Sequence, residues 1–163
     1  MRVDWTATPC MSDERFTLDA NILVYAMDGQ SGHRQSIAGQ IVNLARRANC
    51  WLTLQAVSEF YAAVTRKRVV PAAAARDQAL DWLAMFPMAA ASTTTVRKSL
   101  ALAESGCASY REALLICTAA EAGCAAILTE DLADGTSLAG VRIVYPFAGP
   151  ALSPAAEALL GPD

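Results

Sequence analysis

Short apolar runs alternate along the chain with stretches whose apolar residues recur every three or four positions. Residues 16–19 (FTLD) read as a short buried strand, and NILVYAMD after them as a helix. DGQSGH is a loop. Residues 34–48 carry helical apolar spacing, and residues 51–55 (WLTLQ) read as a second strand. Helices are expected over 56–68 and 72–86, closed by Pro71 and Pro87, because proline cannot continue a helix. Residues 88–93 form a weak third strand. The helices expected over 95–106 and 109–123 end on Gly106 and Gly123, natural C-terminal stops. A strand at 125–131, a turn at Asp134-Gly135 and a last strand at 141–147 complete the pattern. Strands that alternate with helices predict an α/β fold, a three-layer α/β/α sandwich with a central parallel sheet.

The domain is expected to span residues 16–147. Residues 1–15 read as an N-terminal extension, and Met11 would be a natural start for MSDERFTLDAN. Residues 148–163, rich in Pro, Gly and Ala, read as a tail, either loose or holding one short helix. No internal repeat is visible.

Composition narrows the class. Hydrophobic residues make up 54% and charged residues 18% of the 163, against roughly 45–50% and ~25% in an average globular domain. Such a chain has the means to bury a core, which excludes disorder as its dominant state. Its longest apolar stretches fall well short of the ~20 residues that a membrane span needs. The segment MRVDWTATPC has no apolar core of the secretory-signal kind, so the expected location is the cytoplasm. Five cysteines (Cys10, Cys50, Cys107, Cys117 and Cys124) form no C-x-x-C pair, which argues against a disulfide framework or a zinc site. His33 is the sole histidine and reads as a loop or cap residue; nothing near it resembles a nucleophile elbow. The net charge is −3, but within 16–149 basic and acidic residues balance at eleven each. If four of those acids serve one metal site, a modest positive excess remains to face a polyanion.

Four acids carry candidate chemistry. In an open parallel sheet, ligands bind beyond the carboxyl ends of the strands. Asp19 ends the first strand, Glu59 follows the second in what reads as the first turn of its helix, and Asp131 ends the fourth. Glu112 opens the helix that precedes that fourth strand. Each also has a structural role to offer: Asp19 as a helix N-cap, Glu59 as a partner for a helix N-terminus, Glu112 in a capping box with Ser109, and Asp131 as a turn residue. Gathered at one edge they would repel one another, and a hard divalent cation removes the conflict. Such a centre suits phosphodiester hydrolysis by an activated water. Glu130 is a rival for the fourth acid; strand alternation points it away from the face that Thr129 and Asp131 share.

Three blocks in this order resemble PIN-domain ribonucleases, and more closely the VapC-type toxins of bacterial toxin–antitoxin modules. TLDANILVYAMD is similar to the family's opening motif, QAVSEFYAAVTRK to the second, and SYREALLICTAAEAGCAAILTEDLADG to the third. The resemblance implies Asp19, Glu59, Glu112 and Asp131 as catalytic, metal-holding acids, with Asn21 and Thr129 in support. It also implies Mg²⁺ or Mn²⁺, an RNA substrate, a homodimer and a cognate antitoxin, encoded nearby, that occupies a groove beside the site. Two positions depart from the pattern. Glu112 stands where Asp is usual, and Arg111 where an aromatic is usual; Arg111 can bind phosphate, or pair with an acid and compete with the metal. With Arg66, Lys67 and Arg68 it is a candidate for guiding RNA. These departures support an alternative, a catalytically weakened PIN domain that binds RNA or an antitoxin without cutting. A haloacid-dehalogenase-type phosphatase is disfavoured because Asp19-Ala20-Asn21 lacks the second Asp of D-x-D, and a dinucleotide site because no G-x-G-x-x-G occurs.

Overall fold

The computed structural model describes residues 13–162. The elements run β1 (Phe16–Leu18), α1 (Ala20–Met27), α2 (His33–Ala45), β2 (Leu52–Thr53), α3 (Leu54–Arg66), α4 (Ala72–Met85), β3 (Met88–Ala89), α5 (Thr93–Glu104), α6 (Tyr110–Glu121), β4 (Ala126–Leu128), β5 (Ser137–Leu138), β6 (Val141–Val144), β7 (Phe147–Ala148), β8 (Ala151–Leu152) and α7 (Pro154–Leu160). The main sheet has the order β1-β4-β6-β5. β1, β4 and β6 are parallel, and β5 is an antiparallel edge strand that the apolar pattern did not signal. β2 and β3 pair in parallel, and the chain entering β2 bridges β1 through Phe16 and Cys50, so this ribbon prolongs the sheet. The fold is the expected α/β architecture around a central parallel sheet.

Side-chain alternation explains the layers. Ala126 and Leu128 of β4 face one core with Phe16, Leu18, Val144 and the helices α1–α4. Ile127 faces the opposite core with Ile143, Val141 and the α6 residues Leu115, Ile116 and Ala119. Strands buried on both faces read as unbroken apolar runs rather than as alternation. Each large aliphatic side chain so buried contributes roughly 1.5–3 kcal/mol.

Two expectations need adjustment, and one open alternative is resolved. The helix bearing Glu59 starts at Leu54, not at residue 56, because the Thr53 hydroxyl accepts the Ala56 N–H at 3.0 Å and caps it two residues earlier. Glu59 therefore lies in the second turn, too far in to serve the helix N-terminus. The strand expected at 125–131 ends at Leu128, so Glu130 and Asp131 sit in a turn where alternation no longer governs their direction. Of the two forms expected for the last segment, the short helix is present. Ala156, Leu159 and Leu160 of α7 are buried in the larger core, and a β7–β8 hairpin leads into them.

The extension expected at 1–15 lies mostly outside the described residues. Its last residue is anchored: the Arg15 guanidinium donates to the Ala122 carbonyl and lies 4.2 Å from the Trp51 ring centre. Cys50, Cys117 and Cys124 are buried, as small apolar side chains would be, and Cys107 is exposed. No described helix is long and apolar enough to cross a membrane.

Candidate active site

The pairing of β1 with β4 builds the centre. Leu18 lies opposite Leu128, so the residues that follow each strand, Asp19 and Thr129, meet at the same sheet edge although 110 positions separate them. The Asp19 amide donates to the Leu128 carbonyl at 3.0 Å, the last rung before the chains diverge. Thr129 donates its hydroxyl to Asp19 Oδ2 at 2.7 Å and accepts the Asp131 N–H at 3.1 Å. One hydroxyl thus ties the two acids together. Asp19 Oδ1 accepts the Ala20 N–H at 2.6 Å, so Asp19 also caps α1. Asp19 is 4% exposed. Burial pushes its carboxyl up to about 6; repulsion from Asp131 adds to this, while the Thr129 hydroxyl, the Ala20 amide and the Arg111 guanidinium pull it back.

Beside Asp19 opens a pocket of about 260 Å³, lined by Asn21, Tyr25, Glu59, Arg66, Lys67, Arg111, Glu130 and Asp131 among others. Glu59 points in from α3. Gln55, one helical turn earlier, donates Nε2 to Glu59 Oε1 at 2.9 Å and to the Arg111 carbonyl at 3.0 Å, joining α3 to the start of α6. The Arg111 guanidinium stands between two acids, with Nη1 3.5 Å from Glu59 Oε2 and Nη2 3.5 Å from Asp131 Oδ2.

Glu112 does not line this pocket. Its carboxylate folds back to accept the Ser109 N–H at 2.8 Å, while the Ser109 hydroxyl accepts the Glu112 N–H, forming a complete capping box. The first turn of α6 thus presents Arg111 to the pocket and keeps Glu112 for its own N-terminus. Arg66 and Lys67 line the pocket, whereas Arg68, in a left-handed conformation (φ 53°), borders a separate surface depression. Glu130, expected to point away, forms the opposite wall, where it accepts from Tyr25 Oη and the Arg34 guanidinium. Arg34 also borders a larger open depression of about 560 Å³ at the start of α2, which contains none of the four predicted acids.

Gln55, Tyr25 and Arg34 were not singled out in the sequence. Gln55 and Tyr25 each had one available signal: Gln55 lies four residues before Glu59 and Tyr25 four after Asn21, a spacing that shares a helix face. Arg34 reaches Glu130 across 96 positions, and no local pattern reports that.

The PIN domain family model matches residues 16–133. The chain belongs to the PIN domain family. Members are generally nucleases. This PIN domain is similar to a chain of a toxin–antitoxin complex from Klebsiella pneumoniae, at 18% identity and a TM-score of 0.57, covering 84% of this chain and 98% of that one. It is also similar to a chain of VapBC2 from Rickettsia felis, solved bound to a DNA fragment from the promoter. There the identity is 13% and the TM-score 0.57, with 79% of this chain and 96% of that one covered. No curated protein shows significant similarity to it.

The donor set of this PIN domain suits a hard cation. Asp19, Asp131 and Glu59 offer only oxygens, and Mg²⁺ is commonly held by one or two carboxylates with water and substrate phosphate completing its shell. Both amide atoms of Asn21 are shielded from solvent and have no partner within the protein. As they lie, no three acid, histidine or cysteine side chains among the described residues are gathered closely enough to hold one ion. The Thr129-linked pair, Asp19 with Asp131, is the fitting unit.

Proposed function

We propose that this PIN domain is a metal-dependent endoribonuclease, the toxin of a toxin–antitoxin module, and that the pocket beside Asp19 is its active site. The observation that supports this most directly is the buried Asp19 carboxylate at the carboxyl edge of the sheet, linked through Thr129 to Asp131, which lines a pocket that also holds basic residues. Asp19 and Asp131 would hold a Mg²⁺ or Mn²⁺ ion. When bound, the ion supplies a Lewis acid and a water of lowered pKa. Glu59, steadied by Gln55, is placed to accept the proton of the attacking water at Oε2. Arg66 and Lys67 neutralise the phosphate backbone and hold the RNA against the acids. Asn21 lines the same pocket with an amide that has no partner within the protein. The proposed partners are an antitoxin and, in a homodimer, a second copy of the chain; the proposed location is the cytoplasm.

A second reading rests on two observations: Arg111 occupies the space between Glu59 and Asp131, and Glu112 serves its helix instead of the pocket. On that reading the domain binds RNA or an antitoxin without cutting. Incubating the purified protein with structured RNA in Mg²⁺, in Mn²⁺ and in EDTA separates the two. Cleavage that needs the cation and disappears in Asp19→Asn is the expected result. Undiminished cleavage in EDTA would remove the metal mechanism, and RNA binding with no cleavage in either cation would favour the second reading.

A further inference from the structure

We propose that Arg111 is a built-in cation that competes with the divalent metal for the acidic pocket. On this view it holds Glu59 and Asp131 in the metal-free protein and must swing outward before an ion is admitted. The inference rests on the metal-dependent reading above and adds to it a residue that sets metal affinity.

Placement is the first argument. Arg111 lies in the first turn of α6, where the helix dipole is positive and a cation is disfavoured. Two carboxylates compensate for that placement, Glu59 from α3 and Asp131 from the turn after β4. Arg111 also helps draw the buried Asp19 carboxyl back toward its charged form. The guanidinium thus faces the acids that would face the metal.

The strength of the contacts is the second argument. Both ion pairs are 3.5 Å long, beyond the 2.7–2.9 Å of a charge-assisted hydrogen bond. The Arg111 side chain is 60% exposed, so water can replace either carboxylate without a buried charge being left unpaired. A loosely held, exposed guanidinium can leave.

The third argument is that departure leaves the rest in place. Gln55 fixes the Arg111 carbonyl and the Glu59 carboxylate with the two hydrogens of one amide group. Thr129 fixes Asp131 through its backbone and Asp19 through its carboxylate. Only the side chain beyond Arg111 Cα has to move. Once outside, it stands on the pocket rim with Arg66 and Lys67, where a phosphate can take the place of the two carboxylates.

A dication and a guanidinium a few ångströms apart repel each other even through water, and losing that repulsion is worth on the order of tenfold in metal affinity. The test is Mn²⁺ binding by the full-length protein, read from the EPR signal of free Mn²⁺ and by calorimetry. Wild type is compared with Arg111→Gln, Arg111→Lys and Asp19→Asn, and circular dichroism confirms that each is folded. The expected result is that Arg111→Gln binds Mn²⁺ about tenfold more tightly than wild type, that Arg111→Lys, which keeps the charge, stays close to wild type, and that Asp19→Asn loses binding. Equal affinity in wild type and Arg111→Gln, with binding still lost in Asp19→Asn, would overturn the role of Arg111 and leave the metal site standing. Weaker binding by Arg111→Gln would overturn it too, by making Arg111 a support of the site. Absence of Mn²⁺ binding in all four proteins would overturn the metal reading itself and the competition with it.

Discussion

Replacing Asp19 by Asn should stabilise the metal-free protein at neutral pH while removing its activity. A carboxyl with a pKa of about 6 in the fold and 3.8 in the unfolded chain is charged at pH 7 at a penalty of about 3 kcal/mol, since each unit is worth 1.36 kcal/mol. The sign follows from the raised value. Below about pH 4 the acid is neutral in both states and the penalty is absent. As pH rises from 4 to 6 the unfolded chain ionises first, stability falls, and above 6 the loss is complete. Asparagine never ionises, so the variant escapes this loss. Its amide, however, cannot accept from both Ala20 N–H and the Thr129 hydroxyl, and re-pairing one of them costs about 1 kcal/mol. The expected net gain is about 2 kcal/mol at pH 7, falling through zero towards pH 4. Urea unfolding of wild type and Asp19→Asn in EDTA, at half-unit steps from pH 4 to 7.5, measures the difference directly. A difference that does not change with pH would refute the reasoning, because it would mean that the Asp19 charge is not strained by its burial.

Other outcomes follow from the same geometry. Glu112→Gln should keep stability within about 0.5 kcal/mol and retain cleavage, since Gln also serves a capping box, whereas Glu112→Ala should lower stability by about 1 kcal/mol; loss of cleavage in Glu112→Gln would show that this carboxylate turns into the pocket during turnover. Arg66→Ala and Lys67→Ala should each weaken binding of single-stranded RNA and reduce the slope of log affinity against log salt by about 0.7, with Arg68→Ala as the control that changes neither. Leu160→Ala should cost about 2–5 kcal/mol in urea unfolding, because α7 is packed into the larger core; a loss below 0.5 kcal/mol would mean that residues 148–163 behave as a tail.

What the sequence determined by itself is what local periodicity and short-range chemistry encode. The runs at 16–18 and 126–128 stand out because these strands are buried on both faces, and 141–144 stands out although Arg142 is exposed, because Val141, Ile143 and Val144 are buried. Ser109 and Glu112 announce their capping box because both halves lie within four residues. The meeting of Asp19 with Asp131 was legible one step further on, since a parallel sheet brings its carboxyl ends to one edge. The use of each side chain was decided only by the tertiary structure. Glu112 follows Arg111, which lines the pocket, but its own carboxylate is taken by the N–H of Ser109. Arg111 faces Glu59 and Asp131 because the start of α6 meets the start of α3, where Gln55, 56 residues away in the chain, binds its backbone. Glu130 turns to Tyr25 and Arg34 because β4 stops at Leu128 and frees the next residues from strand alternation. α7 joins the core although its composition reads as a tail, since Leu159 and Leu160 find an apolar surface that exists only after α2 and β8 have packed. In each of these, the partner that decides the outcome lies on another element, and a pattern read along one segment carries no information about a distance across the fold.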